Sequence, residues 1–348
     1  MANTKTEVKF NLNFGQQKPL PEVIEWWKAA DKAGMDALGF PDSPVQMPEV
    51  YICQTLAALN TEHVQLIPGV TNPMTRHPSV AASALATIET IAPGRVQLGI
   101  ATGDSAIWGT GGKFSTVEHL REYIIAVKGL CRGEEVEYRG KKFKSLFGNW
   151  QKPFELPVIV ACSGPKVLKM SAQVADGMFI VMGMAPENIK YVKGIIKEGC
   201  EEAGRNPDEL ELWWGGGITF ADSVEEAMEN SLGANVSWMV MGSMEGKQIP
   251  EEYKEPLREL AKGTHTFSQT YFNPNRTSDT IKRAKELGVY DWLQTRASRL
   301  GGTPDDVVKR FEEFRQMGLT NWLYTILGAN VDRLDIIDKM KYIKSKLA

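Results

Sequence analysis

Short runs rich in β-branched and aromatic residues alternate along this chain with longer segments whose apolar positions recur at helical spacing, and the alternation repeats about eight times. The first strand is expected over Val8–Phe14, followed after Pro19 by a helix through Ile24, Trp27 and Ala30 that stops at Gly34. Strands then fall at Ala37–Phe40, Val64–Gly69 and Val96–Ala101, separated by helices over Tyr51–Leu59 and Pro78–Ile91. The next helix, Thr116–Leu130, places Val117, Leu120, Ile124, Val127 and Leu130 on one face. A small hairpin turns at Gly140, between Val136 and Phe143. Strands return at Val158–Ala161 and Met178–Val181, with helices over Lys166–Val174 and Pro186–Ala203. A seventh strand is expected at Leu210–Trp214 and an eighth at Trp322–Ile326, before a terminal helix over Asp332–Lys346.

This succession predicts an α/β fold, a (β/α)8 TIM barrel with insertions, because parallel strands need helical crossovers and eight of them close around a filled interior. A doubly wound open sheet is the alternative. It is disfavoured by the absence of GxGxxG after the first strand, where Asn13-Phe14-Gly15-Gln16-Gln17 stands. The 348 residues exceed a typical barrel of about 250 by about 100. One domain over 1–348 is expected, with insertions at about 133–153 and 233–303. The larger lies between strands seven and eight. It is flanked by helical patterns at Ser223–Leu232 and Pro304–Met317 and contains irregular polar sequence with His265, Tyr271, Asn273, Asn275 and Arg276. Trp213, Trp214, Trp238 and Trp292 read either as pocket walls or as packing.

Composition narrows the functional classes. Forty basic against 43 acidic side chains leave a net charge of −3, which argues against a nucleic-acid surface. Apolar stretches are interrupted well before the roughly 18 residues a membrane helix needs. The four cysteines have no CxxC or Cys/His spacing, the N-terminal residues lack a secretory h-region, and a reducing cytoplasm is the expected location. No HExxH, Walker A, GxSxG or carboxylate cluster is present, so no metal is expected and an organic cofactor should carry the difficult chemistry.

In a barrel, chemistry collects on the loops that follow the strands. After strand two, Asp42 reads either as a hydrogen-bond acceptor in the barrel mouth or as a turn residue. After strand three, Gly69 in Pro68-Gly-Val-Thr-Asn-Pro73 admits a planar ligand closely. Arg76 in the same loop suits an anion or a carboxylate, and His77, directly before Pro78 at a helix start, reads as structural. After strand four, Thr102 and Gly103 offer backbone N–H groups, and Asp104 is a proton donor or a linking turn residue. After strand five, Ser163-Gly164-Pro165-Lys166 opens a helix and forms the best phosphate candidate in the chain. Cys162 beside it reads as packing. Val181-Met182-Gly183-Met184 suits an apolar wall or ordinary core.

Pro68–Pro78, Ala82–Ile88, Pro93–Ser105, Ser163–Leu168 and Val174–Met178 together resemble the bacterial luciferase-like superfamily of flavin-dependent barrels. The nearest likeness is to its branch around methylenetetrahydromethanopterin reductase, which uses the deazaflavin coenzyme F420. The likeness spans roughly residues 8 to 205. It implies a ring beside Asp42, Gly69, Val70, Thr71, Thr102 and Gly103, and a phosphate at Ser163, Gly164 and Pro165. It also implies a cis peptide at Gly69–Val70 and an insertion that covers the barrel mouth. Several relatives carry Asp-His after strand two, whereas this chain has Asp42-Ser43, so proton transfer falls to Asp104, to later loops, or to coenzyme and solvent.

The expected activity is hydride transfer between F420 or FMN and a small organic substrate. Two alternatives stand beside it: an FMNH2-dependent monooxygenase fed by a separate flavin reductase, and a flavin-binding barrel without catalysis. A homodimer or higher homo-oligomer is expected, with no nucleic-acid or membrane partner.

Overall fold

Eight parallel strands curl into a barrel in the computed structural model, which describes residues 7–15, 18–240, 244–264, 275–296, 300–326 and 331–348. The strands in chain order are β1 (Lys9–Phe14), β2 (Ala37–Phe40), β3 (Gln65–Pro68), β4 (Leu98–Ile100), the hairpin pair β5 (Glu135–Tyr138) and β6 (Lys141–Lys144), β7 (Val158–Cys162), β8 (Gly177–Ile180), β9 (Glu211–Gly215), the two-residue β10 (Thr219–Phe220) and β11 (Gly301–Gly302), and β12 (Asn321–Ile326). The barrel runs β3-β2-β1-β12-β9-β8-β7-β4. Single bridges Leu66 to Val96 and Thr71 to Ile100 join its two ends. At this seam a Cβ on Gly99 would stand 1.9 Å from the Pro68 carbonyl oxygen, so no side chain fits where β3 meets β4. The expected eight strands are all present, each within a few residues of its anticipated place.

Strand alternation divides the interior. Phe10, Leu12 and Phe14 join the shell between sheet and helices, while Ala37, Ile67, Ile159, Phe179 and Trp213 form a separate cluster within the barrel. Trp213 and Trp214 are therefore packing residues, each 2% exposed. The shell helices are α1 (Leu20–Lys32), α2 (Val50–Asn60), α3 (Pro78–Ile91), the short α4 (Ser105–Thr110), α5 (Val117–Cys131), α6 (Pro165–Val174) and α7 (Pro186–Ala203). Local chemistry sets their starts. The Thr116 hydroxyl accepts from the His119 N–H at 3.1 Å to cap α5, and Pro78 occupies the first turn of α3, where its missing N–H costs nothing.

The segment between β9 and β12 differs from the expectation. The helix expected over Ser223–Leu232 extends as α8 (Val224–Val240), and α9 (Glu251–Thr264) and the helices Arg276–Glu286 and Tyr290–Arg296 follow it. They enclose a second core of Leu232, Val236, Ile249, Leu257, Leu260, Ala284, Val289 and Leu293. Trp292 stacks on Tyr253 with ring centroids 4.8 Å apart. Asn275 is exposed and precedes the helix that Arg276 opens; His265, Tyr271, Asn273 and the Trp238 side chain lie outside the described residues. Among the described residues no helix is long and apolar enough to cross a membrane.

Candidate functional site

The loops after β2, β3 and β4 are tied into one body. The Asn13 side chain donates to the Gly69 carbonyl at 2.6 Å. The Gly69–Val70 peptide bond is cis, as the family likeness implied. Thr71 N–H donates to the Gly99 carbonyl and Ala101 N–H to the Thr71 carbonyl, both at 3.0 Å. The Thr71 hydroxyl donates to Asp42 Oδ2 at 2.6 Å. Arg76 donates to both oxygens of Asp42, at 2.6 and 3.2 Å, and to Glu49 at 2.7 Å, with its guanidinium over the Tyr51 ring. Burial opposes the charge on Arg76, but its bonds to Asp42 and Glu49 outweigh that cost and raise its pKa. Burial also pushes the Tyr51 phenol well above its ordinary value.

Asp42 is thus a buried carboxylate already serving the loop after β3, and Arg76 pairs with carboxylates. His77 caps α3, bonding Ser79 at 2.8 Å through Nδ1, which is the structural role its place before Pro78 suggested.

After β4, Thr102, Gly103 and Asp104 are half-buried. Gly103 holds a φ of +110°, and its Cβ position would lie 2.6 Å from Ile107, so the backbone there is bare by necessity. Asp104 opens α4 without a side-chain capping bond. The next residue, Ser105, meets Ser43 hydroxyl to hydroxyl, which ties the loop after β2 to the loop carrying Asp104.

At the end of β7, Ser163, Gly164 and Pro165 are half-buried, and α6 starts at Pro165 with no side chain capping its first turn. Its leading N–H groups remain available to an anion. Cys162 is fully buried, its thiol donates to the Val160 carbonyl at 3.4 Å, and burial pushes its pKa up to about 12, so it packs rather than reacts. Val70, Ala161 and Leu323, partly buried, cover the cluster inside the barrel and supply an apolar floor for its mouth.

A cavity of about 510 Å³ opens next to this floor, over the ends of β8, β9 and β12. Val181, Met182 and Met184 form part of its wall, together with Leu323, Tyr324 and, from the insertion, Met239 and Lys247. The insertion therefore covers part of the mouth. None of the residues anticipated after strands two to five lines this cavity. Lys247 carried no sequence signal, since a single lysine in a polar segment resembles any solvated one. Asn11 and Asn13 had a usable signal: they are polar at the inward positions of β1, and Asn13 anchors Gly69. Among the described residues no group of His, Cys, Asp and Glu is placed to hold a metal ion.

The profile of the family described as luciferase-like monooxygenase matches residues 5–321. The 5,10-methylenetetrahydromethanopterin reductase of Archaeoglobus fulgidus is 27% identical over 324 residues, covering 90% of this chain and 92% of that protein. An F420-dependent glucose-6-phosphate dehydrogenase of Mycolicibacterium gilvum is 27% identical, covering 69% of this chain and 79% of its own length. The fold is also that of an F420-dependent secondary alcohol dehydrogenase solved with an F420-acetone adduct, with a TM-score of 0.70 at 17% identity over 99% of this chain and 100% of that one. The chain belongs to the luciferase-like monooxygenase family.

Proposed function

We propose that this protein is an F420-dependent oxidoreductase that moves hydride between the coenzyme and a small organic substrate. The observation that carries the reading is the pairing, on one end of the barrel, of an apolar floor with an open helix N-terminus, in a chain similar over long spans to an F420-dependent dehydrogenase. That pairing suits a flat ring with a phosphate-bearing tail. When bound, the deazaflavin ring supplies a carbon centre that accepts and donates hydride.

The chain's own groups divide the remaining work. Val70, Ala161 and Leu323 exclude water beneath the ring. Gly69, Thr71, Thr102 and Gly103 hold the backbone along its edge, and Asp42 positions Thr71 and Arg76. Ser163, Gly164 and Pro165 receive the phosphate through the start of α6. Asp104 holds or releases a proton at its carboxyl.

Anaerobic titration with F420, followed by quenching of its fluorescence, tests this reading. Wild-type protein should bind well below millimolar concentration, a free energy more favourable than about −4 kcal/mol. Ser163→Ala should weaken F420 about tenfold, as expected for loss of one hydrogen bond to a charged group. Failure to bind F420, coupled with oxygen uptake driven by reduced FMN, would instead support a monooxygenase.

A further inference from the structure

We propose that the cavity over β8, β9 and β12 takes an uncharged organic molecule, an apolar body carrying a hydroxyl or carbonyl group that meets the Thr325 hydroxyl, and that Asp332 turns anionic molecules away from it. Identifying this molecule as the partner in hydride exchange rests on the functional reading above.

Val181, Met182, Met184, Ile218, Phe220 and Leu323 give the cavity a largely apolar wall, and its volume of about 510 Å³ falls within the roughly 300–1,000 Å³ of small-molecule sites. Four charged side chains also reach this wall among the described residues, two of each sign: Lys247, Lys339, Asp332 and Asp335. All four are engaged within the protein. Asp335 holds Lys339 at 2.6 Å, and the Lys339 ammonium also lies 5.2 Å from the centre of the Phe220 ring. Lys247 donates to the Met239 carbonyl at 3.2 Å and has a further partner. Asp332 accepts from the Leu334 and Asp335 N–H groups at 3.0 and 3.2 Å. A charged ligand entering here would shed water and meet no unmatched counter-ion, the costly case for a desolvated charge. An uncharged ligand bears no such cost.

Two helices start at this wall, and each supplies its own acid. Barrels commonly bind phosphate at the loops after their last two strands, where helix N–H groups point at the ligand. Here the last helix, Arg333–Leu347, follows β12 with Asp332 occupying that place, its carboxylate exposed at the rim and its bonds already using the leading amides. The start of α7 has proline at Pro186, which offers no N–H, and Glu187 in its first turn. An incoming anion is thus repelled at both starts, a selection made by unfavourable contacts as much as by favourable ones. Several neutral polar groups of the wall are spent as well. Asn188 donates to the Met182 carbonyl at 2.8 Å, Ser231 to the Met228 carbonyl at 3.1 Å, and the Tyr324 hydroxyl to the Ile218 carbonyl. Thr325 differs from them. It alternates with the buried Tyr324 and Ile326 along β12, lines the cavity with Leu323, and makes no side-chain hydrogen bond among the described residues. Its hydroxyl is a donor and acceptor suited to an alcohol or a carbonyl group.

The test uses the full-length protein labelled with 13C at its methionine methyl groups, the Met182 and Met184 signals being assigned from those lost in Met182→Leu and Met184→Leu. Cyclohexanol, cyclohexanecarboxylate and protonated cyclohexylamine, at neutral pH, serve as probes of similar size. Cyclohexanol should shift both signals saturably and bind at least about tenfold more tightly than either charged probe. Asp332→Asn, whose amide still caps a helix, should tighten the carboxylate about threefold, as expected for removing one exposed charge, and leave cyclohexanol unchanged. Thr325→Val should weaken cyclohexanol about fivefold, the loss of one neutral hydrogen bond. A charged probe that binds as tightly as cyclohexanol, or Met182 and Met184 signals that cyclohexanol leaves in place, would overturn the proposal. A carboxylate affinity that Asp332→Asn does not change removes the part given to Asp332. F420 quenching on the same sample separates the two readings. Absence of F420 binding with the preference for cyclohexanol intact contradicts the proposed cofactor and leaves the cavity's selectivity standing, whereas F420 binding beside a preference for a charged probe removes only the substrate class.

Discussion

Asp104→Asn is expected to lower kcat for F420-dependent turnover by about 10²- to 10⁴-fold, the usual contribution of a positioned proton donor or acceptor. The F420 dissociation constant should change little. The carboxylate stands at the start of α4, on a loop that the Ser43–Ser105 contact fixes against the loop after β2. The family likeness implies a histidine after Asp42, where this chain has Ser43, and a serine hydroxyl is too weak an acid to act as an imidazole does near neutral pH. Asp42, next to Ser43, is held by Thr71 and Arg76, which leaves Asp104, on the loop that Ser43 meets through Ser105, as the carboxylate for proton transfer. The isosteric amide keeps the side chain's shape and much of its hydrogen-bonding capacity, so the fold should stay within about 1 kcal/mol of wild type. Steady-state kinetics beside a urea titration checks both halves. Equal loss of stability and turnover would make Asp104 a structural turn residue.

Arg76→Met should destabilise the protein by about 3 kcal/mol, the cost of leaving a buried carboxylate without its cation. The side chain of Asp42 is only 2% exposed and that of Arg76 15%, so solvent screens this pair little; the second partner, Glu49, is 39% exposed and contributes less. The same change frees Thr71 from a rigid acceptor, and F420 affinity should fall with stability. Asp42→Asn combined with Arg76→Met should cost less than the two single changes summed, because the amide removes the stranded charge. Urea midpoints for the three variants measure the coupling. Strictly additive losses would show that Asp42 and Arg76 act independently.

Much of this architecture was legible in the sequence because β/α units repeat two periods that differ plainly, and because parallel strands buried on both faces read as short apolar runs. The hairpin at Gly140, the helix start near Thr116 and the packing role of Cys162 were visible for local reasons of turn, periodicity and partner chemistry. Between β10 and β11 only the first part of α8 was, and the helices after it were not. Their outward faces are densely charged, Pro256 stands inside α9, and they stay ordered by burying one narrow stripe against a second core whose residues lie far apart in sequence. The pairing of β10 with β11 is two residues long, below any periodic signal.

The site divides in the same way. Loops that follow strands could be located from the repeat, so Asp42, Gly69, Thr102 and Ser163 fell at the barrel mouth. What each side chain touches could not. Asp42 proves to be engaged by Thr71 and Arg76, a fact that depends on residues 29 and 34 positions away. Of the cavity over β8, β9 and β12, the wall at Val181–Met184 was anticipated, but its assembly with residues of β12, the last helix and, from the insertion, Met239 and Lys247 was not, because these lie far apart in sequence.

The central claim is that the end of the barrel holds F420 with its ring on the floor of Val70, Ala161 and Leu323 and its phosphate at the start of α6. A crystal structure of the F420 complex tests this most directly. The account predicts phosphate oxygens within hydrogen-bond distance of the Ser163 hydroxyl and the first free amides of α6, with the cavity beside Lys247 left open to substrate. A phosphate lodged at Lys247, with α6 untouched, would contradict it.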